Sequence, residues 1–368
     1  MYPALAVARS LRALPEAPEL AWIGGRRGIE GRLVPEEGIP FHRLALRSLR
    51  SVQLDGHLFM DPLRLAASVP QALARLIAWR PDALFTTGGF VAIPALIGAA
   101  TLRVPAVLWE GNAVPGRSVR ATARLARVKA VSYAQAGETL GGTWYLTGTP
   151  IRDVGTRDPA AARERLGVPP AAACLLVFGG SQEVRRFNHA VRQVLPELVR
   201  GAVVLHVTGP AAVGEFRAAR EALPGDLRAR YLPVAFLAGA SMADALVAAD
   251  LVVGRAGSST LAEVSAAGRP MVVVPYPHAA GHQAANARAA VEAGAALLIE
   301  DEAFDGTALL RVAALLDDQG RLAAMGAAAR GLARPGAARA VATLVAAVAR
   351  RERLPDREAV ARVAAGVS

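Results

Sequence analysis

Short apolar runs alternate with longer amphipathic or alanine-rich segments along nearly the whole chain. The runs have the length of strands and the intervening segments the length of helices, a pattern typical of parallel βαβ units. The predicted strands form two series, Ala21–Gly24, Phe41–Leu46, Ala83–Thr87, Ala106–Glu110, Ala130–Tyr133 and Trp144–Thr147, then Cys174–Phe178, Val203–Val207, Tyr231–Val234, Leu251–Val253, Met271–Val274 and Ala296–Ile299.

The two series predict an α/β protein with two doubly wound parallel-sheet domains. A chain of 368 residues exceeds one ordinary core. We expect a first domain over 1–149, a second over 150–335, and a helical tail over 336–368 that packs back on the first domain. A helix is predicted from Tyr2 with no strand before it, although the first strand of such a sheet is usually interior. We therefore expect that the sequence begins downstream of a first strand and its glycine loop.

Composition indicates a globular protein of the cytoplasm. Hydrophobic residues make up 53% of the chain and charged residues 20%, which excludes a disordered chain. No run approaches the roughly 18 uninterrupted apolar residues of a membrane span, and no signal-peptide pattern opens the sequence. The single cysteine, Cys174, lies in an apolar run, so a buried inert thiol is favoured over a nucleophile.

The net charge of +11 is carried almost entirely by arginine, since Lys129 is the only lysine. It reflects either a GC-rich or heat-adapted genome or an attraction to phosphate, in nucleic acid or in an anionic membrane. No helix-turn-helix, aromatic platform or basic tail is visible, so no nucleic-acid partner is expected. The sequence also lacks a Walker loop, a metal-ligand spacing of histidines and a serine-hydrolase elbow. We therefore expect neither a metal nor a cofactor.

Small and polar residues follow several predicted strands, at the sheet edge where ligands bind in such folds. Glycine loops at Gly88–Phe90, Gly179–Gln182 and Gly254–Glu263 are either tight turns or anion sites at helix N-termini. Glu110–Asn112 places a carboxylate and an amide at the same kind of edge. Arg152, in the predicted interdomain connection, is either a solvated linker charge or a phosphate clamp.

These motifs occur together in the order found in one enzyme family, and the chain resembles the MurG family of undecaprenyl-diphospho-muramoylpentapeptide N-acetylglucosaminyltransferases. The motifs that carry the resemblance are Gly28–Pro35, Gly88–Phe90, Glu110–Asn112, Gly179–Gln182 with Asn188, Arg255–Glu263, and Pro275–His278 with Gln283 and Asn286. The resemblance implies the GT-B fold, two Rossmann-like domains facing across a cleft. It also implies inverting transfer of N-acetylglucosamine from UDP-GlcNAc to O4 of the muramoyl sugar of lipid I, in peptidoglycan synthesis. The family's place is peripheral, on the cytoplasmic face of the bacterial inner membrane.

The resemblance also implies roles for single residues on the donor side. Glu263 is expected at the ribose hydroxyls, Arg152 at a phosphate, and Gln283 at the hydroxyls of the donor sugar. His282 stands beside Gln283 where the family usually has a second glutamine. Other donor-side residues are expected near the uridine and the diphosphate: Ser181, Gln182, Ser259 and Thr260.

On the acceptor side the resemblance implies Gly88, Gly89, Phe90, Glu110 and Asn112. Phe90 replaces a common tyrosine, and Glu110 is expected to support catalysis. The histidine generally considered the general base of the family would precede Met1, so the catalytic base is unassigned. Glu183 also departs from the family pattern, since a carboxylate beside a diphosphate should repel it.

The segment Leu58–Arg80 interleaves apolar residues with arginines. Its helices either pack on the sheet or form a peripheral anchor for an anionic membrane. Three other functions stay open from the sequence. They are a glycolipid synthase of the same fold, a UDP-GlcNAc 2-epimerase, and a UDP-sugar-binding module with weak catalysis.

Overall fold

A computed structural model describes residues 1–25, 29–46, 57–179, 184–277, 279 and 281–367, with the backbone alone for 57–63. The strands of these residues are β1 (Trp22–Gly24), β2 (Phe41–Arg43), β3 (Leu84–Thr86), β4 (Ala106–Glu110), β5 (Val128–Val131), β6 (Trp144–Leu146), β7 (Cys174–Phe178), β8 (Val203–Val207), β9 (Tyr231–Val234), β10 (Leu251–Gly254), β11 (Met271–Val273) and β12 (Ala296–Leu298). The helices are α1 (Tyr2–Arg12), α2 (Glu30–Glu36), α3 (His57–Trp79), α4 (Ala92–Thr101), α5 (Arg117–Thr122), α6 (Ala134–Leu140), α7 (Pro159–Leu166), α8 (Arg185–Gly201), α9 (Val213–Glu221), α10 (Gly225–Arg228), α11 (Gly239–Ala248), α12 (Ser258–Ala266), α13 (His282–Glu292), α14 (Gly306–Ala313), α15 (Gln319–Leu332), α16 (Ala337–Ala349) and α17 (Arg357–Ala365).

The chain divides into two compact units. The first unit comprises Met1–Ile151 together with Gly336–Ser368, and the second comprises Arg152–Pro335. Within the first unit, α16 packs against α1, and Val341 and Leu344 share a core cluster with Val7 and Leu11. The C-terminal helices thus belong to the core of the first unit rather than forming a separate appendage.

A six-stranded parallel sheet forms the centre of the second unit, in the order β12-β11-β10-β7-β8-β9. The strands β7, β8 and β10 are fully buried, as expected for near-continuous Leu and Val runs in a sheet covered on both faces. Apolar side chains of the sheet pack into two clusters, one including Phe187 of α8 and the other including Leu246 of α11. This packing brings the ends of β7, β10 and β11 to one edge of the sheet.

The described strands of the first unit form two parallel sheets. The strands β3, β4, β5 and β6 make one sheet, and β1 pairs with β2 in the other. The core beside the larger sheet contains Trp109, whose indole Nε1 donates to the carbonyl of Gly148 at 3.0 Å.

All twelve predicted strands are found, and the parallel α/β architecture is confirmed. The strand β2 ends at Arg43, three residues before the predicted Leu46. The strand β5 begins two residues before the predicted Ala130, because Lys129 is part of the strand. Lys129 is buried there, and the loss of hydration lowers the pKa of its amine. A charged residue is rarely found inside a buried strand, which is why the sequence pattern placed the boundary after it.

Cys174, the first residue of β7, is buried as predicted, and burial raises the pKa of its thiol to about 12. Among the residues that the structure describes, one segment, Gln319–Ala349, is long and apolar enough to cross a membrane by length and composition alone. It contains α15 and α16 with a break between them, and 44% of its most apolar window is buried in the fold. Core helices of globular proteins pass the same test, so this segment is weak evidence for a membrane span.

Candidate functional site: a donor edge in the second unit

Two loops of the second unit follow the neighbouring strands β10 and β11, and both lead into helices. The first carries Arg255 and Gly257 into α12, and the second carries Tyr276 towards α13. At Gly254 an added Cβ would lie 2.9 Å from the carbonyl oxygen of Phe178, so only glycine fits this close approach of β10 to β7. We call this carboxyl end of the sheet the donor edge.

Glu263 lies in α12 and is buried, and its Oε1 accepts a hydrogen bond from Nε of Arg152 at 2.8 Å. The Nη1 of Arg152 donates to the carbonyl of Gly239 at 3.0 Å. Burial raises the pKa of Glu263, and the charge and hydrogen bond of Arg152 act in the opposite direction. The structure therefore pairs two residues to which the sequence assigned separate roles. A buried carboxylate and a guanidinium stand side by side at the donor edge.

Ser259 and Thr260 occupy the first turn of α12, and both are partly exposed. Gly257 caps this helix without a side-chain hydrogen bond. The first backbone N–H groups of a helix have no intrahelical acceptor, and the helix dipole favours an anion there. The first turn of α12 can thus receive a phosphate or another anion.

His282 and Gln283 are the first two residues of α13, as predicted for a helix opening at this point. The Oε1 of Gln283 accepts a hydrogen bond from the backbone N–H of Tyr276 at 2.9 Å. One turn further, the buried Asn286 donates from Nδ2 to the carbonyl of Ala256 at 3.2 Å. The start of α13 is therefore tied to both loops of the donor edge.

Ser181 and Gln182 lie outside the described residues, as do Glu183 and His278. Their predicted positions and roles stay predictions. The next motif residue, Asn188, is buried in α8, and its Nδ2 donates to the carbonyl of Thr208 at 2.9 Å.

The sequence did not predict an ion cluster at the donor edge, in which Arg255 is buried and its partners are partly exposed. Arg255 pairs with Asp301, which follows β12, and Asp301 also pairs with Arg186 in the first turn of α8 at 3.4 Å. A signal was available, because an arginine placed directly after a buried strand needs a carboxylate or carbonyl partner. The identity of that partner could not be read from the sequence, since Asp301 is 46 residues away.

In the first unit, the acceptor-side predictions fall on loops after the neighbouring strands β3 and β4. Gly88 has φ +71, and an added Cβ would lie 2.6 Å from a methyl of Val119, so glycine is required. Gly89 has φ +86 with open space around it. Phe90 packs against the cluster of Leu44, Leu46 and Ala72, which gives its ring a packing role.

Glu110 ends β4 and is buried, and its carboxylate binds its own loop. Oε1 accepts from the backbone N–H of Asn112 at 2.8 Å and from its Nδ2 at 2.9 Å, while Oε2 accepts from the N–H of Gly116 at 3.4 Å. The structure thus brings Glu110 and Asn112 together, and the hydrogen bonds accepted by Glu110 hold this loop in its conformation. Within the described ranges, no group of three or more His, Cys, Asp or Glu side chains could hold a metal ion.

Comparison with known proteins identifies the family. Residues 1–130 match the glycosyltransferase family 28 N-terminal domain, and residues 174–342 match the glycosyltransferase family 28 C-terminal domain. The chain is 39% identical to the UDP-N-acetylglucosamine–N-acetylmuramyl-(pentapeptide) pyrophosphoryl-undecaprenol N-acetylglucosamine transferase of Chlorobium luteolum. That match covers 93% of this chain and 94% of the relative.

Solved structures agree with this assignment. The crystal structure of Acinetobacter baumannii MurG is 25% identical, has a TM-score of 0.73, and is matched over 94% of this chain and 95% of its own. A UDP-N-acetylglucosamine 2-epimerase has a TM-score of 0.64 over 96% of both chains, but at 17% identity this likeness shows the fold alone. The chain is therefore a two-domain glycosyltransferase of GT-B fold and belongs to glycosyltransferase family 28, within its MurG group.

Proposed function

We propose that this enzyme transfers N-acetylglucosamine from UDP-GlcNAc to O4 of the muramoyl sugar of lipid I, which forms lipid II for peptidoglycan. The observation that carries the proposal is the Arg152–Glu263 pair at the donor edge, in a chain of this family. A carboxylate can accept hydrogen bonds from both ribose hydroxyls, and a guanidinium matches the geometry of phosphate. One such pair can therefore bind the ribose and the neighbouring phosphate of a uridine diphosphate.

The donor's diphosphate is the leaving group, and its negative charge grows as the bond to the sugar breaks. We propose that Arg152 and the first turn of α12 stabilise that charge, which the uncapped N-terminus of α12 supports. A helix N-terminus stabilises an anion by about 0.3–1 kcal/mol, and by up to ~2 kcal/mol when partly buried. Stabilisation that increases in the transition state raises the rate and not merely the affinity.

Inverting transfer is a direct displacement at the anomeric carbon. A base takes the proton of the acceptor O4 while UDP departs from the opposite face, so the new glycosidic bond has the opposite configuration. Glu110 already accepts hydrogen bonds at both carboxylate oxygens from its own loop. These contacts support a role in shaping the acceptor loop, beside Gly88, Gly89 and Asn112.

The polyprenyl tail of lipid I requires an enzyme that reaches a membrane surface, and we propose a peripheral position on the cytoplasmic face of the inner membrane. The exposed side chains of Ile77 and Trp79 on α3 and of Ile97 on α4 support this position, with exposures of 52%, 38% and 36%. Arg75 of α3 and Arg80, the residue that follows α3, are also exposed. A basic residue near an anionic lipid surface contributes about 1 kcal/mol.

Vesicle sedimentation tests the membrane surface. We expect binding to vesicles with anionic lipid and little binding to neutral ones, and we expect Ile77→Gln with Trp79→Gln to weaken it. The matched control is Val291→Gln with Leu332→Gln, which changes two apolar residues of the second unit that are also exposed. Equal binding to both vesicle types, or equal loss in both double variants, would contradict the proposed surface.

The proposed reaction is tested by incubating the protein with UDP-GlcNAc labelled in the sugar, with and without lipid I. We expect label in an extractable disaccharide lipid only when lipid I is present. Formation of UDP-N-acetylmannosamine without acceptor would indicate epimerase chemistry. Binding of UDP-GlcNAc with no product in either case would indicate a UDP-sugar-binding module.

A further inference from the structure

We propose that Arg255, held by Asp301, is a positioning residue for the donor sugar: it fixes the segment 274–276, which in turn orients the amide of Gln283. This inference rests on the proposed donor site and extends it to residues that touch neither the ribose nor the diphosphate in that proposal.

Arg255 is almost completely buried, with 5% of its surface exposed, and it binds the chain that follows β11. Its Nη1 donates to the carbonyls of Val274 at 3.1 Å and Pro275 at 3.4 Å. The guanidinium carbon lies 4.9 Å from the ring centroid of Phe187 and 5.3 Å from that of Tyr276. The planar group is thus bound at its edge by two carbonyls and contacted by two aromatic rings, which leaves the segment 274–276 little freedom to move.

The segment 274–276 sets the direction of Gln283. The backbone N–H of Tyr276 is a donor, so the atom of Gln283 that it meets must be the amide oxygen. The amide nitrogen of Gln283 is then the end that remains to donate to a ligand oxygen, such as a sugar hydroxyl. If the segment shifts, this orientation is no longer enforced.

Asp301 supplies the counter-charge for Arg255 and connects it to a third part of the donor edge. Its Oδ1 accepts from Nη1 of Arg255, and its Oδ2 lies 3.4 Å from a guanidinium nitrogen of Arg186, in the first turn of α8. A buried guanidinium that loses its carboxylate must find other partners or move toward water. The position of Arg255, and with it the segment 274–276, therefore depends on Asp301.

Calorimetric titration with three ligands tests the inference without an acceptor. UDP reports on the nucleotide part of the site, UDP-GlcNAc adds the sugar, and UDP-N-acetylgalactosamine differs only at C4 of the sugar. For Asp301→Asn we expect the preference for UDP-GlcNAc over its C4 epimer to fall by about 3–10-fold, the worth of one positioned hydrogen bond, with UDP affinity within about twofold of wild type. We expect the same change in Arg255→Lys, which keeps the charge but loses the planar group. This second variant tests the inference even where Asp301→Asn does not fold.

A double variant separates positioning from general stability. If Arg255 and Asp301 act through Gln283, then Asp301→Asn combined with Gln283→Ala should lower the preference no further than Gln283→Ala alone. The matched control is Asp250→Asn at the other end of β10. Asp250 also binds an arginine, Arg163, at 2.7 Å, together with the backbone N–H of Cys174. This control should lower thermal stability and leave the sugar preference unchanged.

The results that overturn the inference differ from those that overturn the donor site. A wild-type sugar preference in both Asp301→Asn and Arg255→Lys, or multiplied effects in the double variant, would overturn the positioning role. A wild-type preference in Gln283→Ala would instead remove Gln283 from the donor site, and the inference with it.

Discussion

Replacing Glu263 by glutamine should weaken UDP binding by about tenfold. A hydrogen bond to a charged group contributes about 1.5–3 kcal/mol, which is roughly 10–150-fold in affinity. The lower end applies here, because the free protein already satisfies Oε1 of Glu263 through Arg152 at 2.8 Å. Ribose hydroxyls must share or displace that contact, so part of the gain on binding is offset by the ion pair that is lost.

The same substitution should discriminate between nucleotides. We expect calorimetry to show that Glu263→Gln weakens UDP binding more than the binding of 2′-deoxyuridine diphosphate, which offers one ribose hydroxyl fewer. Glu292→Gln is the control, because Glu292 is an exposed residue at the far end of α13. Wild-type affinity for UDP in Glu263→Gln, or the same loss for both nucleotides, would refute the assignment of Glu263 to the ribose.

Three further outcomes follow from the charges of the second unit. Burial raises the pKa of Glu263 and Arg152 lowers it, so UDP-GlcNAc affinity should fall as the pH drops through that pKa. Arg152→Gln should move this loss of affinity to higher pH. An unchanged midpoint of affinity against pH in Arg152→Gln would contradict this expectation. Burial lowers the pKa of His206 from 6.5 to about 3, so the unfolded state binds more protons between these values. Stability to urea should therefore rise with pH in this window, by up to about 1.4 kcal/mol per pH unit, and His206→Gln should flatten the slope; an unchanged slope would contradict it. Removal of divalent metal with a chelator should leave transfer intact, since Arg152 and helix N-termini are proposed to meet the diphosphate charge; loss of activity that Mg²⁺ restores would contradict this.

The strands could be predicted from the sequence because buried parallel strands read as apolar runs of limited length. The runs Cys174–Phe178 and Val203–Val207 match β7 and β8 residue for residue. The predicted β2 ends three residues too late, and the predicted β5 begins two residues too late, since Lys129 is buried without a signal in the pattern around it. The apolar pattern of a sequence indicates that a strand is buried on average, but it does not indicate a single buried polar residue such as Lys129.

The candidate site was less predictable, since its contacts join residues far apart in the chain. The helices carrying Glu263 and Gln283 were located by their strand-loop-helix context. The contact of Glu263 with Arg152 spans 111 positions, and that of Asp301 with Arg255 spans 46. Such pairs depend on the order of strands in the sheet, with β11 between β10 and β12, which apolar periodicity does not specify.

Phe90 shows the opposite difficulty. Its place in a motif predicts a ligand contact, which stays a prediction, and its ring packs against Leu44, Leu46 and Ala72 in the first unit. A phenylalanine has no polar atom that must be satisfied, so sequence alone does not separate packing from binding. Glu110 was easier to place, because a carboxylate at the end of a buried strand needs hydrogen-bond donors and its own loop provides them.

Hydrogen–deuterium exchange with and without UDP-GlcNAc is the most direct test of the donor edge. Exchange reports on backbone amides, and those of the first turn of α12, the segment 274–276 and the start of α13 lie at this edge. We predict that UDP-GlcNAc slows exchange in peptides covering Gly254–Glu263 and Val274–Gln283. Protection confined to the loops after β3 and β4 in the first unit, or no protection in either unit at saturating donor, would contradict a donor site at this edge.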